Sequence, residues 1–411
     1  MPTQHDKQII RELAKQYMEI ALSEKQQRAQ KRMLDTNDLK LVRPPVLMDE
    51  IPWYQLNADG ELACLCEDKR ARNAELKLRK AIYYDKHFPK ADAICEPFFR
   101  IKRSYTSTGI GIDYVATDLK RTDDQNNIVS REYADVLVDE SALEQLHDPE
   151  FTLHPEQDED NVTYFTDLFG STLPVKLYGF GFLYSSPWDK ITQLRGVEPI
   201  LMDMYDRPEY LHAIMQKFIS ATNAELDFIE KNLEVDATFP SLHCTPGMIS
   251  GRTGSGLKAT WYRGMAQSFG SISPQMFEEF EIDHIKPIAE RFAYTYYGCC
   301  EPLHDKIDVI KKISNLRKVG VSPWADVESS AEQLRGDYVF ARKPNPAHVA
   351  IKTDPDVIRR ETEETVKACI KHGCPCELVL KDISTVSHKP ENLIVWSNTV
   401  SDVLDRYYDP A

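Results

Sequence analysis

The stretch Gly298-Cys-Cys-Glu-Pro-Leu-His304 packs two thiols, a carboxylate and an imidazole into a few residues. Zinc takes sulfur, nitrogen and oxygen donors, so Cys299 and Glu301 are candidate ligands, with His304 at the start of the following helix. A plainer reading stands beside this one: small buried thiols followed by a histidine that caps a helix or faces solvent. A third is contact with a substrate and no metal. Successive side chains of an extended strand point to opposite faces, so at most one of the two adjacent cysteines is expected to point inward. The pair His243-Cys244 ends the run Thr238-Phe-Pro-Ser-Leu242 and can reach the same place, which makes His243 a further metal candidate. His-x-x-x-His and Cys-x-x-Cys spacings are absent. Cys374 and Cys376 fall at the start of a strand and are expected to be structural.

Other chemistry-bearing residues stand where strands are expected to end: Glu50 with Trp53, Arg100, Trp188, Gln267, Trp324 with Asp326, Arg342 with Lys343, and Lys381 with Asp382. Three tryptophans at one mouth suit a small aromatic or alkyl substrate. Trp53, Trp188 and Trp324 are therefore expected to pack on it, with Glu50 beside them and Gln267 and Arg342 orienting it. Glu301, Asp382 and Gln267 are the candidate catalytic groups. Arg342 and Lys381, if inward, need anionic partners, which Asp382 or Glu301 can supply. Tyr294, Tyr296 and Tyr297 share one strand and fit either core or pocket.

These residues need elements to position them. Residues 5–34 show helical spacing of Ile9, Ile10, Leu13, Tyr17 and Ala21, ending before Arg43-Pro44-Pro45. Val46-Leu47-Met48 is a short buried strand, and a second apolar run extends from Ala93 to Phe99. Residues 118–162, rich in Asp, Glu, Gln and Asn, are expected to form a polar surface insertion. Val175–Phe182 is expected to be one strand running into a loop that holds Trp188. Asp206-Arg-Pro-Glu209 is expected to start a helix with an acidic cap. Residues 236–270 form a long irregular segment, and Ser273-Pro274 caps a helix whose Phe277, Phe280, Ile285, Ile288 and Phe292 share one face. Four strand–helix units follow: strands 293–298, 317–322, 338–342 and 376–382, helices 302–313, 325–334, 354–372 and 390–407. Short apolar strands buried on both faces and alternating with helices imply a parallel sheet. Neither Gly-x-Gly-x-x-Gly nor Gly-x-x-x-x-Gly-Lys-Ser/Thr occurs, so a (β/α)8 TIM barrel is preferred to a doubly wound nucleotide fold. The expected organisation is a single domain over 1–411, with residues 1–42 a helical extension and 43–411 the barrel with its surface insertions. In such barrels chemistry sits at the C-terminal ends of the strands, where Cys299 and Glu301 fall and Cys374 does not.

The chain has 411 residues, 42% of them hydrophobic, with 50 Lys and Arg against 65 Asp and Glu and a net charge of −15. An acidic surface repels phosphates and anionic lipid, so neither nucleic acid nor a membrane is an expected partner. No apolar run reaches the length of a membrane helix, and the N-terminus lacks a signal-peptide layout. Nine thinly spread cysteines suit free thiols or metal ligands better than a disulfide framework. The protein is expected to be soluble and cytoplasmic, and a homodimer is an expected assembly.

Six segments of the sequence, taken in order, resemble the uroporphyrinogen decarboxylase superfamily: Leu177-Tyr-Gly-Phe-Gly-Phe182, Gly196-Val-Glu-Pro199, Asp206-Arg-Pro-Glu209, Ser273-Pro-Gln-Met-Phe-Glu-Glu-Phe280, Arg342-Lys-Pro-Asn-Pro346 and Pro390-Glu-Asn-Leu393. The resemblance spans 170–405 well and 40–115 loosely, and it implies a (β/α)8 barrel. True decarboxylases carry Arg-Gln-Ala-Gly-Arg after the first strand to hold a substrate with many carboxylates. Here that place reads Met48-Asp-Glu-Ile-Pro-Trp53, and Asp49 and Glu50 would repel such a substrate. The thiol-methylating branch shows His-x-Cys after its sixth strand and a further Cys after its last. Here these places read Tyr297-Gly-Cys299 and Lys381-Asp-Ile-Ser384, so one ligand of three is kept. The resemblance then implies a zinc site changed to Cys299, His243 and Glu301. It points to the demethylating branch, in which a methyl group passes from a small methoxylated or N-methylated donor to a corrinoid carried by a partner protein. Two alternatives remain: a decarboxylase using Asp382 or Asp326 as proton donor, and a non-catalytic barrel that binds a corrinoid or tetrapyrrole.

Overall fold

The computed structural model describes residues 2–57, 59–119, 129–251 and 254–408. At its centre seven parallel strands form one sheet: β1 (Val46–Met48), β2 (Phe182–Ser185), β3 (Trp261–Gly264), β4 (Tyr294–Tyr297), β5 (Leu316–Val321), β6 (Val339–Arg342) and β7 (Cys376–Leu380), in the spatial order β1-β7-β6-β5-β4-β3-β2. The last four strands follow the expected alternation with helices, among them Val327–Leu334, Pro355–His372 and Glu391–Tyr408. Local signals place these helices. Asp354 caps Pro355–His372 through the Asp356 amide, and Gly373 ends it in the left-handed region that glycine adopts without penalty. Ser273 caps the turn at Pro274 by accepting from the Met276 amide.

The strands are buried at nearly every position, and the alternation of side chains between the two faces sorts them into two sets. Val319, Val321, Phe340 and Tyr297 pack outward among the surrounding helices with Phe277, Ile285 and Leu334. Val46, Met48, Leu378 and Leu380 pack outward against Trp396 and Val400 of the last helix. Inward positions form a separate set, with Trp261, Tyr296 and Ala341 in one group and Leu47 with Val379 in another. The inward set also carries the charged residues Arg263, Lys318, Lys343, Glu377 and Lys381, each no more than 3% exposed.

The sheet is curled but, among the described residues, hydrogen bonding does not close it into a ring: β1 and β2 are its two edges. The expected closed eight-stranded barrel is thus observed as a seven-stranded parallel sheet wrapped by helices. Several elements differ from expectation. The run 175–182 splits at Gly179-Phe-Gly181, because Val175–Tyr178 pairs with Phe99–Lys102 while β2 alone joins the large sheet. Strand β3 lies inside the segment expected to be irregular. The 5–34 helix is two helices, α1 (Gln4–Ala21) and α2 (Glu24–Asn37), broken where Ser23 caps the second. Arg207, not Asp206, precedes Pro208–Asn232, because Asp206 still belongs to the preceding helix. The polar insertion contains paired strands Ala116–Asp118 and Arg131–Tyr133. It runs into the helix Pro155–Phe169, which buries Tyr164, Leu168 and Phe169. Residues 120–128 of that insertion lie outside the described residues. Among the described residues no helix is long and apolar enough to cross a membrane.

Candidate active site

The C-terminal ends of β1, β4 and β7, together with the 240–246 hairpin, bring Glu50, His243, Cys244, Cys299, Cys300, Glu301, Lys381 and Asp382 into one cluster. Lys381 is its hub. It continues the inward series Glu377, Val379 by strand alternation and is almost fully buried. Its ammonium lies 3.1 Å from the Cys299 sulfur, 3.6 Å from that of Cys300, 3.2 Å from Asp382 and 3.5 Å from Glu50.

Cys299 and Cys300 do not obey strand alternation, because the chain leaves β4 at Gly298, whose φ is +94°. A Cβ there would come within 2.3 Å of Leu303, so the turn requires glycine. Beyond it both sulfurs reach the same place, 3.6 Å apart, with the Cys300 sulfur 2.8 Å from an Asp382 oxygen. The hydrogen bond from Cys300 holds the Cys299 thiol well below its ordinary range, with His243, Arg263 and Lys381 adding to this against the opposing effect of burial. Cys300 is pushed up by that same pairing and by burial. The arrangement is a buried thiolate held by an ammonium, a form in which sulfur is both nucleophile and metal ligand.

Glu301 turns back on its own chain and accepts the Cys299 amide at 2.9 Å, while its Oε1 has no partner among the described residues. Burial, reinforced by the charge on Cys299, pushes its carboxyl up to about 7. Glu50 accepts the Asp382 amide at 2.9 Å and stands 3.7 Å from His243. Burial raises its carboxyl, with Lys381 opposing. The His243 ring is set edge-on to Tyr184 at 4.9 Å. Glu50, Cys244 and Asp382 all have φ between 50° and 67°, a costly conformation for residues other than glycine. Such strain collects at functional sites, where surrounding contacts hold it in place.

Among the described residues one group of three has potential ligand atoms mutually within 4.8 Å: Glu50, His243 and Cys244. A carboxylate, an imidazole and a thiol form a donor set that zinc accepts, with a fourth position left for a substrate. The residues therefore fit a zinc ion through His243, one of the expected ligands, together with Glu50 and Cys244. Of the other expected ligands, Glu301 accepts the Cys299 amide with one oxygen and leaves Oε1 without a partner among the described residues, and Cys299 lies beside the Lys381 ammonium.

Other expected site residues are placed differently. Trp188 is fully buried, donates from its indole to the Phe280 carbonyl at 2.8 Å and packs on Phe269, so it is core and cannot touch a substrate. Arg342 points outward by strand alternation. It donates to the Ser322 carbonyl at 2.6 Å and pairs with Glu361 at 3.1 Å, so it does not orient a ligand in the mouth. Its neighbour Lys343 takes the inward place and donates to the Tyr296 hydroxyl. Trp53 packs edge-on against Tyr83, with the Lys80 ammonium 5.2 Å from its ring centre. Trp324 stands 67% exposed after β5. Gln267 is exposed after β3, its amide 3.5 Å from the Met265 sulfur. Below the cluster a second polar layer was not anticipated. Lys318 pairs with Glu377 at 2.8 Å and donates to Thr245 at 3.0 Å, all three being buried. The period-two rule, applied inward from Lys381, would have found Glu377.

The fold and the cluster define a parallel α/β protein with reactive groups at the C-terminal ends of its strands. No family model matches the chain, and no curated protein matches it. Among solved structures it is similar to one described as a methyltransferase from Methanosarcina mazei, with a TM-score of 0.50 and 12% identity over 92% of this chain and 99% of that one. At this identity the likeness concerns the fold.

Proposed function

We propose that the chain is a methyltransferase that takes a methyl group from a small methoxylated or N-methylated donor and passes it to a corrinoid carried by a partner protein. The observation that carries this reading is the convergence of Glu50, His243 and Cys244 beside the Lys381-held thiolate of Cys299, at the end of the sheet where such folds do their chemistry. The fold-level likeness to a methyltransferase and the superfamily resemblance of the sequence agree with it. On this reading the wall is completed as a (β/α)8 barrel by the segment following Asp92, whose amide donates to the Val46 carbonyl at 2.6 Å.

Glu50, His243 and Cys244 would hold the zinc ion, which when bound would supply a Lewis acid for the departing oxygen of a methoxylated donor. The chain's own groups do the rest. Cys300, with His243, Arg263 and Lys381, favours the ionised form of Cys299, and Lys381 fixes Asp382 and Glu50 around the mouth. Glu301, with its carboxyl near neutrality, holds a proton on its unpartnered Oε1 or releases it to a leaving group. The exposed rim residues Trp324 and Ile351 offer apolar surface to the corrinoid protein.

The test is methylation of free reduced cobalamin, followed by its absorbance, with methoxylated and N-methylated donors and a zinc determination on the same samples. Wild type is expected to form methylcobalamin and to hold about one zinc per chain, as a single site requires. His243→Ala with Cys244→Ala should lose both. Carbon dioxide release from a carboxylate substrate without cobalamin would replace this reading by the decarboxylase one.

A further inference from the structure

The seam between the end of β1 and the 240–246 hairpin contains a cavity of about 300 Å³, within the size range of small-molecule sites. Its walls are the end of β1, the 92–100 segment, the Lys69–His87 helix and the 240–246 hairpin, and they include Asp49, Lys77, Tyr84, Phe98, Ser241 and Cys244. Cys244 also belongs to the three-ligand group at the mouth. The cavity is therefore a second approach to the same cluster, through the wall.

Its charges are sorted. Asp92 is committed to Arg32 at 2.5 Å, and Glu96 and Asp236 are committed to Arg100. That leaves Lys77 and Asp49. Lys77 makes neither a hydrogen bond nor an ion pair among the described residues, its ammonium lying 4.6 Å over the Phe99 ring. Asp49 accepts only the Glu50 amide and has no ion pair among the described residues. The two are not paired with each other. Lys77 lines the cavity from the Lys69–His87 helix, while Asp49 lines it from the end of β1, next to Met48.

We infer that the seam cavity binds a small zwitterion, its carboxylate at Lys77 and its methylated ammonium at Asp49 beside Tyr84 and Cys244. This deepens the methyl-transfer reading, on which it rests for the fate of the methyl group. An aromatic face and a carboxylate are what a quaternary ammonium prefers, and the acidic Asp49–Glu50 end excludes a second anionic group. Transfer of one methyl as a cation leaves the bonding pair on nitrogen and releases a neutral amine. The electron pair of the new bond comes from the reduced corrinoid.

The experiment titrates the full chain calorimetrically with glycine betaine, with choline, which lacks the carboxylate, and with 3,3-dimethylbutanoate, which has carbon in place of the charged nitrogen. Betaine is expected to bind best. Lys77→Gln should weaken betaine about tenfold and leave choline unchanged. Asp49→Asn should weaken betaine and choline to a similar degree and leave 3,3-dimethylbutanoate unchanged. Ser241→Trp, which fills the seam, should abolish betaine binding. Absence of betaine binding at millimolar concentration, or binding indifferent to both charge substitutions, overturns the inference. Because the readout is binding, it is separable from the activity: seam binding without methyl transfer would sink the activity reading and leave the site.

Discussion

Two lysines occupy inward positions of the same sheet, Lys318 on β5 and Lys381 just beyond β7, and they meet opposite fates. Lys318 faces Glu377 and Thr245 in a fully enclosed layer, and its ammonium has three acceptors there: Glu377, Thr245 and the Pro246 carbonyl. Lys381 faces two thiols and two carboxylates at a mouth that Glu50 and Asp382 leave open to solvent. Burial pulls Lys318 down to about 8 although Glu377 opposes it. Burial also acts against the charge on Lys381, but Cys299 and Cys300 outweigh it and its ammonium is held above the ordinary range. The lower lysine belongs to a saturated pair that shapes the core. The upper one stands beside Cys299, whose ionised form is favoured first by the Cys300 thiol and then by His243, Arg263 and this ammonium. An inward lysine is therefore structural or chemical according to whether its partners are used up.

The strongest way to break this contrast is to remove one half of the lower pair. Glu377→Gln should cost about 3–5 kcal/mol, because it leaves a buried charge uncompensated. Lys318→Met with Glu377→Leu should recover most of that loss in urea unfolding. Lys381→Met at the mouth should cost far less.

Glu301 gives a pH-dependent test. Its folded carboxyl titrates near 7 against 4.5 ordinarily, raised by burial and then by Cys299, so the folded state binds more protons than the unfolded one between those values. Stability should therefore fall as pH rises from about 4.5 to 7, by on the order of 2–3 kcal/mol. Glu301→Gln should remove that slope in thermal melts and be the more stable protein at pH 8.

The role of Lys381 is read directly from thiolate absorbance in the ultraviolet, with Cys299→Ser as the blank. Wild type should show the Cys299 thiolate at neutral pH and below. Lys381→Met should move its titration upward by about one unit or more. An unmoved titration would make Lys381 a packing residue like Lys318.

The smallest effects separate enclosed from open aromatics. Trp188→Phe loses the indole bond to Phe280 and should cost about 1–2 kcal/mol. Trp324→Ala, largely in water, should change stability by less than about 0.5 kcal/mol and affect only partner or substrate binding.

The sequence carried the alternation of the last four strands and helices because strands covered on both faces are nearly continuous apolar runs and helix ends carry local signals such as Ser273, Asp354 and Gly373. It missed β3, whose Trp261 and Arg263 stand in a segment dominated by glycine, serine and threonine. Trp188 and Arg342 were misplaced because residue type states what a side chain can do, whereas the face it points to depends on register. The cysteines of the cluster were legible as chemistry, but their convergence was not, since it depends on one glycine turn.

What the sequence determined by itself was therefore local: strand and helix identity, caps, an acidic balance and an inventory of reactive residues near strand ends. Only the tertiary structure decided which of those residues share a space. It brought Glu50 together with His243 and Cys244, nearly half the chain away, so that their ligand atoms lie within 4.8 Å of one another, gave Cys299 its ammonium partner and left the seam beside β1 open. Periodicity along a chain reports burial. Meeting across a sheet depends on curvature, register and turns that no short window of sequence contains.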